Sequence, residues 1–165
     1  MAGLRLRPCT GSDVDVLNTW VTDDAILRRF AGPGLRRPLT FEQLAAPSDD
    51  TCVVFTVTAD ASDLAIGHAQ LRGIDRVRRS CRIARVLIDP ELRGHGLGGE
   101  LMRVLVGHAS SSLGIAEITL NVYRDNIAAV RCYERCGFEF TGRPASVPDA
   151  GEEMRYTRSG RRSIG

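Results

Sequence analysis

The sequence predicts a single α/β (α+β) domain, a mixed sheet with helices packed on it. Three observations predict it. Between Cys52 and Ile88, three β-branched, alternating segments follow one another across short polar turns, the signature of a meander. After Pro90 the period changes, and two amphipathic helical patterns appear, each closed by a glycine (Gly114, Gly137). At 165 residues the chain suits one domain and leaves little room for a second, so residues 1–158 are expected to form it and 159–165 to be a frayed tail.

Leu4 and Leu6 alternate with arginines in a short half-exposed strand that Pro8 ends. Ser12 offers an N-cap to a helix whose apolar face is Val14, Leu17, Trp20 and Val21. Residues 28–40, with glycine, two prolines and four arginines, read as a loop, followed by a short helix near Phe41 to Ala46. Cys52–Thr58 is a strand, Asp60–Asp63 a turn, and Leu64–Leu71 its hairpin partner; Arg76–Ser80 turns again into a strand at Ile83–Ile88, ended by Asp89-Pro90. Leu101, Met102, Leu105, Val106 and Ala109 mark one face of a helix over Gly98–Leu113. A strand at Ile115–Tyr123, a helix at Asn126–Cys136, and short strands at Phe138–Phe140 and Met154–Thr157 complete the order.

Composition excludes several functions. All 22 basic residues are arginine, and without lysine there is no Walker-type nucleotide loop. A net charge of +2 is too small to imply nucleic-acid binding. No apolar run approaches the ~18 residues of a membrane span, and no secretory signal opens the chain, so a cytoplasmic protein is expected. Cys9, Cys52, Cys81, Cys132 and Cys136 contain no CxxC pair and read as reduced thiols. His68, His95 and His108 are too scattered to complete a zinc site with Cys132 and Cys136, so no metal is expected.

The most informative stretch runs from Val86 to Gly99. Glycines at 94, 96, 98 and 99 separate a strand from a helix. Without Cβ atoms, successive amides can converge on an anion, and the helix N-terminus adds about half a positive charge. That arrangement suits a pyrophosphate, with Arg93 placed for a bidentate phosphate contact. Gly94, Gly96 and Gly99 also satisfy GxGxxG. The dinucleotide reading needs an acidic residue at the end of the next strand, whereas Glu117 opens its strand, and a meander precedes the loop in place of a βαβ unit.

Arg93-Gly94-His95-Gly96-Leu97-Gly98 resembles the [Q/R]xxGx[G/A] acyl-CoA motif of the GCN5-related N-acetyltransferase (GNAT) superfamily. Asn126 to Phe138 resembles its later N-x-x-A-x-x-x-Y-x-x-x-G-F signature. The resemblance covers Leu4 to about Thr157 and is greatest to the branch of ribosomal-protein N-terminal acetyltransferases. It implies a mixed, mostly antiparallel sheet of six to seven strands flanked by about four helices, with acetyl-CoA as cosubstrate. It also implies that the strand before the loop splays from its neighbour and that the backbone of Val86, Leu87 and Ile88 holds the pantetheine arm. Gly94, His95 (through its backbone), Gly96, Leu97, Gly98 and Gly99 would cradle the diphosphate, and Asn126, also placed to cap its helix, would touch the cofactor.

Tyr133, two turns after Asn126 on the same face, would lie by that resemblance toward the thioester sulfur. A departing thiolate is about as basic as cysteine, near 8.5, against about 10 for tyrosine. Full proton transfer is uphill by roughly 2 kcal/mol, so a hydrogen bond to the sulfur is the expected role. Many relatives carry a glutamate where Arg82 falls in this chain. At pH 7 a lysine amine is neutral about 0.04% of the time and an α-amine about 10%, so a weakly basic amine is the expected acceptor. Glu117, Asp24, Glu42 and His68 are candidates for a base acting through water, although His68, on a strand, is expected in the core. Residues 24–46 and 143–151 should border the acceptor pocket, where Arg28, Arg29, Arg36 and Arg37 would attract an acidic substrate. The expected function is acetyl transfer to a primary amine of a small molecule or a protein N-terminus, by a monomer or homodimer. The rival is a non-catalytic acyl-CoA-binding module.

Overall fold

The computed structural model describes residues 3–45 and 49–158; the end of the short helix predicted to Ala46 and the tail at 159–165 lie outside them. Seven strands form one sheet: β1 (Leu4–Pro8), β2 (Cys52–Ala59), β3 (Gly67–Asp75), β4 (Ser80–Ile88), β5 (Glu117–Val122), β6 (Glu139–Pro144) and β7 (Glu152–Thr157). The helices are α1 (Gly11–Trp20), α2 (Asp24–Ala31), α3 (Phe41–Ala45), α4 (Leu97–Ser112) and α5 (Ile127–Arg135). Strand order is β1-β2-β3-β4-β5-β7-β6, with every neighbouring pair antiparallel except β4 and β5.

The two faces of the sheet differ in what covers them. Cys81, Ile83, Ile118, Leu120 and Met154 point toward α4, whose Leu101, Met102, Leu105 and Ala109 are completely buried. Each such side chain removed from water contributes on the order of 2 kcal/mol. On the opposite face, Val14, Leu17, Trp20 and Val21 pack with Leu27, Phe30, Leu39 and Leu44 over β2 and β3, which confirms the apolar face read for the first helix. That face also carries a polar row: Arg72, Arg82, Thr119 and Arg155 lie in register across β3, β4, β5 and β7.

Four local readings are corrected. Residues 28–31 are not loop but the last turn of α2. Asp23 caps it by accepting the Ile26 amide at 2.8 Å, Leu27 and Phe30 are buried, and Arg28 and Arg29 sit at its negative end. The hairpin partner starts at Gly67 rather than Leu64, which is 77% exposed and contributes nothing to the sheet's core. The N-cap of α1 is Thr10, not Ser12, because the Asp13 carboxylate reaches back to the Thr10 amide at 2.8 Å. Asn126 occupies the N-cap position of α5, but its side chain makes no capping hydrogen bond.

Asp13 fastens α1 to the sheet. Its carboxylate accepts both Arg7 guanidinium nitrogens, at 2.7 and 2.9 Å, and the hydroxyls of Thr10 and Thr56, at 2.9 Å each. Burial alone would raise its pKa; Arg7 and the backbone and hydroxyl donors outweigh that and hold the carboxyl well below the usual range.

Candidate functional site

The irregularities of β4 create the site. Leu87 pairs with His68 and Ala84 with Gln70, so Arg85 and Val86 together oppose Ala69; Arg85 takes up this bulge at φ 52°. On its other side, β4 pairs with β5 only at Ser80, Cys81 and Arg82, opposite Glu117, Ile118 and Thr119. Beyond these the two parallel strands part, and β4 offers an unpaired edge along Val86–Ile88. The splay implied by the resemblance is present.

The gap opens into a cleft of about 730 Å³. Val86, Leu87, Ile88, Arg93, Gly94, Gly96, Leu97, Gly98, Gly99, Asn126 and Tyr133 all line it, so almost every site residue named from sequence converges there. His95 does not: its ring turns away, Nδ1 lying 3.2 Å from the Leu92 carbonyl. Ile26, Arg29 and Phe30, within the 24–46 stretch expected at the acceptor pocket, form a helical wall of this same cleft that a loop over 28–40 does not predict, and Met102, Arg103, Cys132 and Cys136 on the facing helices carry no signal in the sequence reading. An amphipathic reading of 24–31 contained the signal for the first group.

Gly94 and Gly96 stand at φ 82° and 80°, a region side chains rarely adopt, and Gly96 is the N-cap of α4. Leu97, Gly98 and Gly99 begin the helix, so their amides have no intrahelical acceptor. Among the described residues, no amide from Gly94 to Gly99 donates to an acceptor outside α4. Arg93 is steadied by a hydrogen bond from Nε to the Ile88 carbonyl at 3.3 Å, and the Arg103 guanidinium comes beside Gly99. The cradle is thus electropositive, open and unsatisfied.

Tyr133 forms the opposite wall. Its ring packs against Phe138, centroids 6.3 Å apart, while its hydroxyl makes no hydrogen bond among the described residues. Burial, with Cys132 and Cys136 adding to it, raises the phenol above its ordinary value, so it stays a proton donor at neutral pH. Burial likewise raises the Cys132 thiol, which is therefore protonated and a poor nucleophile.

The candidate bases are dispersed. Glu117 pairs with Arg155 at 3.7 Å at the joined end of β4 and β5; Asp24 pairs with Arg37 at 3.1 Å; Glu42 lies on the exposed side of α3. His68 is a core residue, 3% exposed, with Gln70 Nε2 at 3.1 Å and the Phe30 ring against it. Burial, and then Arg85, lower its pKa to about 4. A histidine held neutral in the fold favours folding fully above its unfolded pKa near 6.5, and that contribution is lost as pH falls toward 4. Between pH 7 and 5, His68 should account for about 2 kcal/mol of lost stability; urea titrations at both pH values on wild type and His68→Asn should show the dependence shrinking by that amount.

The borders expected for the acceptor side do meet. A Cβ on Gly32, after α2, would lie 3.6 Å from that of Ala150, the Tyr123 hydroxyl donates to the Asp149 carbonyl at 2.6 Å, and Arg28 lies over the Tyr123 ring at 5.8 Å. Arg29 and Arg37 are engaged with Asp125 and Asp24.

The sheet is thus split between its parallel strands, with an amide cradle at the mouth of the split. Residues 19–138 match the model of the Acetyltransferase (GNAT) family, and the chain belongs to that family. It is 36% identical over 58 residues to the spermine/spermidine N(1)-acetyltransferase of Bacillus subtilis strain 168, a match covering 35% of this chain and 38% of the relative. It is 45% identical over 67 residues to the peptidyl-lysine N-acetyltransferase YjaB of Escherichia coli K12, covering 41% of each. The matches thus span about two fifths of these relatives. In fold, it resembles the spermidine N-acetyltransferase of Vibrio cholerae in complex with CoA and spermine, with a TM-score of 0.77, 24% identity and coverage of 94% of this chain and 96% of that one.

Proposed function

We propose that this chain is an acetyl-CoA-dependent N-acetyltransferase that passes the acetyl group directly to a primary amine of a small molecule or a protein N-terminus. The observation that carries the proposal is the unsatisfied amide cradle at Gly94–Gly99, opening onto the unpaired edge of β4 with the free Tyr133 hydroxyl across the cleft. Acetyl-CoA supplies an activated thioester, and these residues fit it. The cradle, Arg93 and Arg103 match its diphosphate; Val86, Leu87 and Ile88 offer strand-like hydrogen bonds to the pantetheine amides; Asn126 sits beside them in the cleft. Tyr133 keeps its proton and donates a hydrogen bond toward the departing sulfur. Direct transfer needs no enzyme nucleophile, which agrees with a protonated Cys132.

The test pairs calorimetric titration of acetyl-CoA with a thiol-release screen against peptides, amino acids, polyamines and aminoglycosides. Micromolar binding with amine-dependent thiol release is the expected result. Binding with no release in any arm would make the chain a non-catalytic acyl-CoA module, and no binding at millimolar acetyl-CoA would overturn the reading.

A further inference from the structure

The polar face of the sheet holds three buried side-chain atoms with no hydrogen-bond partner among the described residues: Arg82 Nε, Asn121 Oδ1 and Arg155 Nε, the last with the Glu117 carboxylate 3.7 Å away. Arg82 is opposite Thr119 in the β4–β5 register, and Asn121 is one pleat further along β5, on the same face and toward the split. Two residues along a strand are roughly 7 Å. With the step from β4 to β5 added, the Arg82 and Asn121 positions are roughly 8–9 Å apart, and an unfilled donor and an unfilled acceptor so placed match a molecule with an anion at one end and an amine at the other. Resting on the acetyltransferase reading above, we propose that the acceptor is a small amine carrying a carboxylate one peptide unit away, such as a dipeptide, with Arg82 binding the carboxylate and Asn121 accepting from the amine.

The surrounding charge agrees. Arg82 has no carboxylate within salt-bridge reach among the described residues; its Nη2 donates to Ser146 Oγ at 2.6 Å, in the segment that also reaches Tyr123 and Gly32. Arg72 is its partner across β3, and Arg85 donates to the Gln43 and Leu44 carbonyls and to Gln70, not to a carboxylate. Arg155, further along the row, is already engaged by Glu117 and Glu153. This face carries Arg72, Arg82 and Arg155 against Glu117 and Glu153, both of which pair with Arg155, so Arg82 is left to complete a charge-assisted pair with a carboxylate from outside. The acceptor's chemistry fits too, since a dipeptide's α-amine titrates near 8 and is partly neutral at pH 7 without a dedicated base.

The test compares alanyl-alanine, its C-terminal amide and spermidine in the thiol-release assay, after acetyl-CoA binding has been measured by calorimetry. The dipeptide is expected to exceed both others in kcat/KM by about tenfold, and R82Q should bring the dipeptide-to-amide ratio near one by raising the dipeptide KM. The comparison of acid with amide on the wild-type protein stands even if R82Q folds poorly. Acetyl-CoA binding with spermidine or the amide turned over as well as the dipeptide, or with none of the three turned over, overturns this acceptor assignment alone. A preference for the acid that survives in folded R82Q overturns the role of Arg82. Failure to bind acetyl-CoA removes the acetyltransferase reading, and this one with it.

Discussion

Tyr133→Phe should lower kcat for acetyl transfer by about 10²-fold while changing the KM for acetyl-CoA less than about threefold. The substitution isolates one hydrogen bond. The Tyr133 hydroxyl has no partner among the described residues, so its loss strands none of their donors or acceptors, and a phenylalanine keeps the packing on Phe138. The melting temperature should therefore stay within about 2 °C of wild type. Burial has raised the phenol above its ordinary value, so full transfer of its proton to a thiolate is less favourable than in water. What the phenol supplies is a short donor at the atom where charge develops. That benefit exists only as the carbon–sulfur bond breaks, which is why kcat should fall and cofactor affinity should not. Stopped-flow thiol release separates the two, and an unchanged kcat would reduce Tyr133 to a packing residue of α5.

Strand and helix identity came through wherever one face was buried. Leu101, Met102, Leu105 and Ala109 repeat at helical spacing because all four point into the same core, and in β2 Phe55 and Val57 enter that core while Thr56 and Thr58, buried as well, alternate with them. The glycine loop was legible for another reason: positive φ at Gly94 and Gly96 admits few residue types, so the backbone requirement shows directly in the sequence. The features that complete the cleft left weaker traces. Only two residues of α2, Leu27 and Phe30, are buried, and the Arg-Arg and Gly-Pro around them look like a loop. The bulge at Arg85 breaks no composition rule, because an arginine rather than a glycine carries the positive φ, tied down by the Gln43 and Leu44 carbonyls. Arg82, recognised in sequence only as a missing glutamate, gains meaning once the register sets it opposite Thr119, one pleat from Asn121 on the same face. Register between distant strands is a tertiary property, and no local pattern encodes it.

Gly151→Ala is expected to cost about 3 kcal/mol and lower the melting temperature by about 10 °C. Gly151 precedes β7 at φ 87°, and a Cβ there would lie 2.3 Å from the Val122 carbonyl oxygen and 2.9 Å from the Tyr123 amide nitrogen. Both obstacles are backbone atoms, one in the last residue of β5 and one in the residue after it, so no rotamer change relieves the contact. Gly142 supplies the control, since it has a similar φ of 76° with nothing within 4 Å of its added Cβ. Gly142→Ala should show only the left-handed strain, about 1 kcal/mol, and the difference between the two variants measures the clash. Its consequence reaches the cleft. Gly151 closes the segment from Ala145 through the bond from the Ala145 amide at 3.0 Å, and that segment carries Ser146 to Arg82 and Asp149 to Tyr123. Pushing it off β5 should raise the acceptor KM severalfold while leaving the amide cradle at Gly94–Gly99, on the far side of the split, able to bind acetyl-CoA. Urea unfolding of the two variants beside calorimetry with acetyl-CoA reads both effects, and equal stability losses would mean that the β5 backbone gives way more readily than its paired strand implies.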